Sequence, residues 1–513
     1  MTHQVRRARG RPPSRVSAGT DRSDSADSGE GMADALGFLD GLLGDVIEGG
    51  SFLQHRLRLS LLGHGRSVRP PRDGSLWAAG DPPPRTGNAL EPLIDGEEVL
   101  PRIEEAIRAA GSHVYLAGWS LTPSFALTRG DEPVVVRELL AAAASSVQVR
   151  VLLWAGAPVP VIRPTLRDTR RVRDALTDGS HVKVGLDRRP NLIHCYHEKL
   201  VIVDDETAFV GGLNLTDRDG DRYDCRTHPY RGRLGWHDLA FRIRGPLVAD
   251  VARHFTRRWV DVTGERLPEV RTPFAAGDIE AQLVSTVPER RYSFAPKGEF
   301  RILESYQRAM RSAMRLVYLE NQFFLAPEVA RVLAAKLRHP PSEEFRVVIV
   351  LPARANQGRD DTRGQLQLLE DADRGAGRLT ASTISAIHPD NAERVYVHAK
   401  TAIIDDRWLT IGSANLNCRG LYNDGEANIV THDPGLARRT RLQLWAEHLR
   451  RPTNEIEENP ARVIDEIWRP IAREQRERAQ IGAPQTHPLI ELSGTSRRAS
   501  RLLGALEGLV VDS

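Results

Sequence analysis

The chain has 513 residues, 40% of them hydrophobic and 27% charged, which suits a soluble folded protein of two to four domains and excludes a wholly disordered one. A formal net charge of +3 argues against a protein that coats nucleic acid. Three cysteines, Cys195, Cys225 and Cys418, exclude a disulfide scaffold and point to a reducing compartment.

Residues 1–31 read as a disordered tail of Arg, Ser, Asp and Gly. Residues 33–48 place Leu36, Leu39, Leu43 and Ile47 at helical spacing, with Asp40, Asp45 and Glu48 on the polar face. An acidic face favours a helix docked on the globular body over one lying on anionic lipid. Residues 66–88, rich in Pro, Gly and Arg, read as a linker. No run reaches the roughly 18 apolar residues of a membrane span, and no secretory signal is evident. The expectation is a cytoplasmic protein, peripheral on a membrane at most.

From about residue 86, strands and helices alternate. Glu97–Ala110 reads as a helix, His113–Trp119 as a strand, Val134–Ala144 as a helix and Val147–Trp154 as a strand. The order returns at Phe300–Met314, Leu316–Phe324, Glu328–Leu337 and Phe345–Leu351, and His113-Val-Tyr-Leu matches Leu316-Val-Tyr-Leu. That repetition signals an internal duplication. The Arg-rich stretches 167–173 and 473–478 read as solvated helix faces, and the tail from about 481 ends in an apolar run, Leu502–Val511.

Two segments carry the duplication most clearly. His197, Lys199, Asp204, Gly211 and Asn214 recur as His398, Lys400, Asp405, Gly412 and Asn415, each pair 201 residues apart, with small residues Gly212 and Ser413 at the matching position between the last two. Farther on, Asp238 ahead of Gly245-Pro246 matches Glu426 ahead of Asp433-Pro434 at an offset of 188. The first copy is therefore 13 residues longer, around Thr227–Leu234.

Residues two apart on a strand face the same side, so His and Lys of each copy project together. Two such halves facing each other give one site with two His, two Lys, two Asn and two carboxylates. The ammonium groups and amides suit a phosphoryl oxyanion without a metal. One neutral imidazole attacks phosphorus, and the other protonates the leaving oxygen. Asp238 and Glu426 fit the other ring nitrogens. Only five of the 71 basic residues are lysine, and two of the five fall at matched positions, where a compact charge on a flexible stem differs from a planar guanidinium. Asp204 and Asp405 are grouped with the catalytic residues as members of the signature, although they lie about 20 Å along an extended chain from their histidines and are expected to hold the turn. A zinc site at Cys195, His194 and His197 fails on spacing.

The pattern His-x-Lys-(x)4-Asp given twice resembles the phospholipase D superfamily over about residues 86–450. Ala117-Gly-Trp119, Leu319-Glu-Asn-Gln-Phe323, Trp236-His-Asp238 and Gly245-Pro246 add to the likeness, closest in pattern to the phospholipid-cleaving phospholipases D. The resemblance implies an α/β fold of two α/β/α sandwich halves related by a pseudo-twofold, with one active site at the seam of a monomer. It implies His197 as nucleophile and His398 as general acid, with Glu426 orienting His197 and Asp238 orienting His398. On this reading Lys199, Lys400, Asn214, Asn415, Gly212 and Ser413 bind the substrate phosphate, and no cofactor or metal is called for. Asn417-Cys418-Arg419-Gly420 departs from the family pattern by placing Gly420 where many members have Ser.

The expected domains are a tail with one amphipathic helix and linker (1–85), a first half (86–270), a second half (271–450) and a helical C-terminal extension (451–513). The expected substrate is a phospholipid at a membrane surface, with water or a primary alcohol as acceptor. Trp119, Tyr196 and Trp236 would box a choline-like head group by cation–π contact, or else serve as core. The alternatives are a cardiolipin-synthase-like phosphatidyltransferase, then a nuclease, and, outside the enzymes, an inactive membrane-surface scaffold. Retention of every His, Lys and Asn in both copies disfavours the scaffold, and dispersed arginines disfavour a nucleic-acid track.

Overall fold

The computed structural model describes residues 50, 52–65, 74–158, 163–190, 194–218, 220–230, 234–353, 365–387 and 392–494. The expected helix at 33–48, the tail 1–31 and the apolar run 502–511 lie outside these residues. Among the described residues, no helix is long and apolar enough to cross a membrane.

The first half contributes β1 (Arg85–Ile94), β2 (His113–Gly118), β3 (Gln148–Trp154), β4 (Lys183–Asp187), β5 (Leu200–Val203), β6 (Thr207–Gly211), β7 (Gly235–His237) and β8 (Leu239–Arg244). The second contributes β9 (Ile279–Val287), β10 (Glu299–Phe300), β11 (Leu316–Asn321), β12 (Arg346–Val350), β13 (Leu379–Ile387), β14 (Ala392–Val397), β15 (Lys400–Ile404), β16 (Trp408–Gly412) and β17 (Glu426–Thr431), followed by β18 (Leu489–Glu491). One sheet runs β4-β3-β2-β5-β6-β8-β1, and the other runs β13-β12-β11-β15-β16-β17-β9. The orders are equivalent strand for strand. In each sheet the first three strands are parallel and the rest antiparallel. The duplication read from the sequence is thus a duplicated α/β fold.

Side-chain alternation explains the layers. Val114 and Leu116 of β2 join an outer core with Val99, Ile103 and Leu139, whose helices cover that face. Tyr115 and Ala117 point the other way, into a central core shared with Leu200 and Ile202 of β5 and Tyr318 and Ile403 of the second half. Val317 and Leu319 of β11 face the second half's own outer core with Leu303 and Val329. Each strand therefore reads as a nearly continuous apolar run, as expected for strands covered on both faces. The central core also takes Phe255 and Trp259 from the helix Leu247–Thr263 and Leu444 and Trp445 from the helix Pro434–Leu449. That second helix starts as the sequence dictates, with Pro434 in the first turn and the Asp433 carboxylate accepting the Leu436 N–H at 2.6 Å.

One expectation needs correction. Residues 74–84 are not a loose linker: Ala78 exchanges hydrogen bonds with the buried Gln282 side chain, and Arg301 donates to the carbonyls of Ala79 and Pro82. Residues 52–61 form a helix whose Arg58 pairs with Glu289 and donates to Asn423, which ties it to the second half.

Candidate active site

One strand pair and one isolated β-bridge bring the motifs together. Tyr196 bridges in parallel to Gly425, and the His197 N–H donates to the Gly425 carbonyl at 2.9 Å. In the equivalent place β14 runs parallel to β7, and the His398 N–H donates to the His237 carbonyl at 2.8 Å. Each histidine is thereby laid beside the residue preceding the other half's late carboxylate. The result is crosswise pairing: His197 Nδ1 lies 2.9 Å from Glu426 Oε1, and His398 Nδ1 lies 2.5 Å from Asp238 Oδ2. With both Nδ1 atoms engaged, the Nε2 atoms are left to react.

The lysines complete the cluster. Lys199 Nζ donates to the His197 carbonyl at 2.6 Å, and Lys400 Nζ donates to the His398 carbonyl at 2.5 Å and to Gln322 Oε1 at 2.9 Å. His197, Lys199, Asn214, His398, Lys400 and Asn415 are all buried. Burial, then the charges of Lys199 and Lys400, holds the His197 imidazole well below its usual pKa. Burial and the same two ammonium groups act alike on His398. Burial pushes the Asp238 carboxyl up to about 7 and raises Glu426 well above the usual carboxylate range. A pocket in which imidazoles resist protonation beside two fixed ammonium groups favours entry of an anion.

The residues called for by the motif divide into those at this cluster and those outside it. Asp204 and Asp405 are outside it, at the far ends of β5 and β15. The Asp204 carboxylate accepts the N–H groups of Gly111, Ser112 and His113 at 2.7–2.8 Å. Asp405 does the same for Met314, Arg315 and Leu316 at 2.7 Å. Both aspartates also take positive φ, as do Asp205 and Asp406, which closes the hairpin turn after each motif. Their place in the signature is structural, so grouping them with the catalytic residues is corrected.

Gly212 and Ser413 are likewise not placed as substrate contacts. A Cβ on Gly212 would lie 2.1 Å from Asp238 Oδ1, and its N–H donates to the Leu239 carbonyl. Ser413 Oγ donates to Glu426 Oε2 at 2.5 Å. Both positions seat the late carboxylate, one by leaving room and one by donating a hydrogen bond. Gly420 has a steric reason too, since a Cβ there would fall 2.4 Å from the Asn415 carbonyl oxygen.

The aromatic box is not assembled. Trp119 stacks on Trp154 and presents its edge region to His197, with ring centroids 6.3 Å apart. The Tyr196 ring carries the Arg258 guanidinium, and its hydroxyl donates to Glu198. Trp236 packs between Arg222, Tyr396 and His398. The choline-like box is therefore withdrawn.

Three participants were missed as single residues. Gln322 holds Lys400 and donates to Tyr396 Oη at 2.9 Å. Asp424, held by Arg419 at 2.9 Å, accepts the Cys195 N–H at the entry to the first motif. Asp95 accepts the Asp238 N–H at 3.1 Å. Gln322 lay within a matched run, Glu-Asn-Gln-Phe, but nothing in its spacing indicated a lysine partner. Among the described residues, side chains able to hold a metal gather beside the site rather than in it, around His237.

The family described as cardiolipin synthase, PLD-like domain, matches residues 103–223 and 307–447, one match in each half. Phospholipase D1 of Schizosaccharomyces pombe is 24% identical over 462 residues, covering 68% of this chain and 33% of that protein. Phospholipase D A of Dictyostelium discoideum is 25% identical, covering 72% of this chain and 36% of that protein. The Bacillus subtilis protein named "Probable cardiolipin synthase YwiE" is 27% identical, with coverages of 68% and 63%. This chain thus spans about a third of the length of the first two relatives. The crystal structure of phosphatidylserine synthase from Haemophilus influenzae superposes with a TM-score of 0.50 at 15% identity, covering 77% of this chain and 93% of that one, a likeness of fold. With both matched regions in one chain and their motifs meeting across the seam, the protein belongs to the phospholipase D superfamily.

Proposed function

We propose that the protein is a phosphodiesterase that acts on phospholipids, by hydrolysis, by transfer to an alcohol, or both, through a covalent phosphohistidine. The observation that supports this most is the crosswise arrangement of two buried His–carboxylate pairs beside two lysines. The relatives named as phospholipases D and as a cardiolipin synthase support a phospholipid as substrate.

In the proposed reaction Lys199, Lys400, Asn214 and Asn415 receive the phosphodiester oxygens. With Glu426 holding the Nδ1 proton, His197 Nε2 carries a lone pair and attacks phosphorus. The negative charge of the bound phosphodiester offsets the two ammonium groups and lets His398 take up a proton on Nε2; the bond from phosphorus to the head-group oxygen breaks, and His398 Nε2 gives that proton to the oxygen. His398, neutral again and held by Asp238, then takes a proton from water or an alcohol. The new oxygen–phosphorus bond forms as the bond to His197 breaks, which releases phosphatidic acid or a phosphatidyl alcohol.

The test is a substrate panel with and without ethanol. Phospholipid vesicles should yield phosphatidic acid, and phosphatidylethanol when ethanol is present. His197→Ala and His398→Ala should each lower turnover by roughly 10⁴-fold or more, because residues acting as one unit fail together. Cleavage of single-stranded DNA with no lipid product would replace this reading by a nuclease.

A further inference from the structure

A second cluster of titratable side chains lies behind Asp238, away from the lysines. Asp95 opens the helix Asp95–Arg108, His237 ends β7, and Glu447 sits in the last turn of the helix Pro434–Leu449. The fourth member, His228, belongs to the 13-residue stretch by which the first copy exceeds the second. All four side chains are at most 1% exposed. One nitrogen or oxygen from each lies within 4.8 Å of the others.

The spacings are those of ligands around an ion. His237 Nδ1 lies 2.9 Å from Asp95 Oδ1 and 3.2 Å from Glu447 Oε1, and His228 Nε2 lies 3.1 Å from Glu447 Oε1. A tetrahedral zinc with bonds of about 2.0–2.1 Å sets its ligand atoms ~3.3 Å apart. The alternative is a network of charged imidazoles hydrogen-bonded to carboxylates, in which every N–H should align on an oxygen. Here one such bond is made, His237 Nδ1 to Asp95 Oδ1, but Asp95 Oδ2, His228 Nε2 and both oxygens of Glu447 are buried without an aligned hydrogen bond among the described residues. A buried carboxylate whose two imidazole neighbours are close but misaligned for hydrogen bonding is costly unless a cation meets it.

The outer contacts fit the same reading. His228 Nδ1 is held by Asp224 at 3.0 Å, and His237 Nε2 is held by Glu320 at 2.7 Å, so each imidazole has its other nitrogen on a carboxylate. That arrangement fixes a metal-ligating histidine. Two imidazoles and two carboxylates, buried and fourfold, suit Zn2+ ahead of Mg2+ or Ca2+, which prefer more oxygens and higher coordination.

We propose that Asp95, His228, His237 and Glu447 bind one zinc ion that braces the seam. The site would tie the first half's helix start, loop and β7 to a helix of the second half. It lies off the phosphate, so the lysine-based binding of the oxyanion is unaffected. Its reach to the chemistry is mechanical: Asp95 exchanges backbone and side-chain hydrogen bonds with Asp238, and the His237 carbonyl takes the His398 N–H.

The test is the metal content of the full chain, carrying no polyhistidine tag, purified from zinc-supplemented medium and measured by inductively coupled plasma mass spectrometry. About one zinc per chain is expected, with X-ray absorption showing only nitrogen and oxygen neighbours near ~2.0 Å. His228→Gln and Glu447→Gln should each drop the content below roughly a tenth of an ion per chain. A wild-type chain that carries no zinc and takes up neither Zn2+ nor Co2+ on addition would overturn the proposal. So would sulfur neighbours, or full zinc retained in both variants. If the variants do not fold, the wild-type stoichiometry and absorption spectrum decide. None of these readouts uses enzymatic turnover.

Discussion

At the scale of the residue, one signature mixes two kinds of work. His197, Lys199, His398 and Lys400 converge on one volume, whereas Asp204 and Asp405 each gather three backbone N–H groups at the start of β2 and β11. A carboxylate accepting three such bonds contributes on the order of 2–4 kcal/mol. Asp405→Ala should therefore lower the thermal midpoint by several degrees, while the protein still folded at low temperature keeps a turnover number within about threefold of the parent. Differential scanning fluorimetry beside initial-rate kinetics checks this; a fully stable variant with no turnover would give Asp405 a chemical role instead. The distance along a strand was enough to separate these aspartates from the histidines in the sequence alone. What it could not show was the aspartates' partners, which come from a loop some 90 residues earlier in each half.

At the scale of the element, the small residues after each motif show how strand packing sets side-chain placement. Gly212 leaves the Asp238 carboxylate lying against its Cα, and Ser413, at the equivalent position, donates to the longer Glu426. Gly212→Ala should displace Asp238 and so unseat His398. The expected result is a loss of kcat of about 10²-fold or more, the range for a misplaced acid or base, with a smaller change in KM. Unchanged kcat would mean that the carboxylate has another resting place. The pattern of small residues was visible in the sequence, where it reads as substrate binding; the structure sets both residues against the late carboxylates. A Gly or Ser beside a phosphate-type site reads equally well as a donor to ligand or as a spacer, and only the register of β6 against β8 and β16 against β17 decides. The aromatic box failed for a related reason: Trp119, Tyr196 and Trp236 recur near the motifs, but Arg258 and Arg222 already occupy two of the three ring faces.

At the scale of the whole molecule, the central fact is that neither half has a complete site. The segment preceding each histidine meets the segment preceding the other half's carboxylate, through the β14–β7 pair in one case and a single Tyr196–Gly425 bridge in the other, so each imidazole takes its orienting partner from across the seam. The duplication, the two offsets of 201 and 188 and the equivalent sheet orders were legible in the sequence because they repeat. The cluster of Asp95, His228, His237 and Glu447 was not, because four single residues from distant positions leave no period and no spacing to read. The crosswise pairing came from family resemblance, since two equivalent halves permit either assignment until the strands are placed.

In the proposed reaction a single phosphoryl group passes through one covalent intermediate on a histidine. This is tested most directly by supplying two phospholipids with the same diacylglycerol and different head groups, at one fixed ethanol concentration, and measuring the ratio of phosphatidylethanol to phosphatidic acid. A common phosphohistidine has already lost its head group, so the ratio should be the same for both substrates even where their rates differ. A ratio that follows the leaving head group would contradict it.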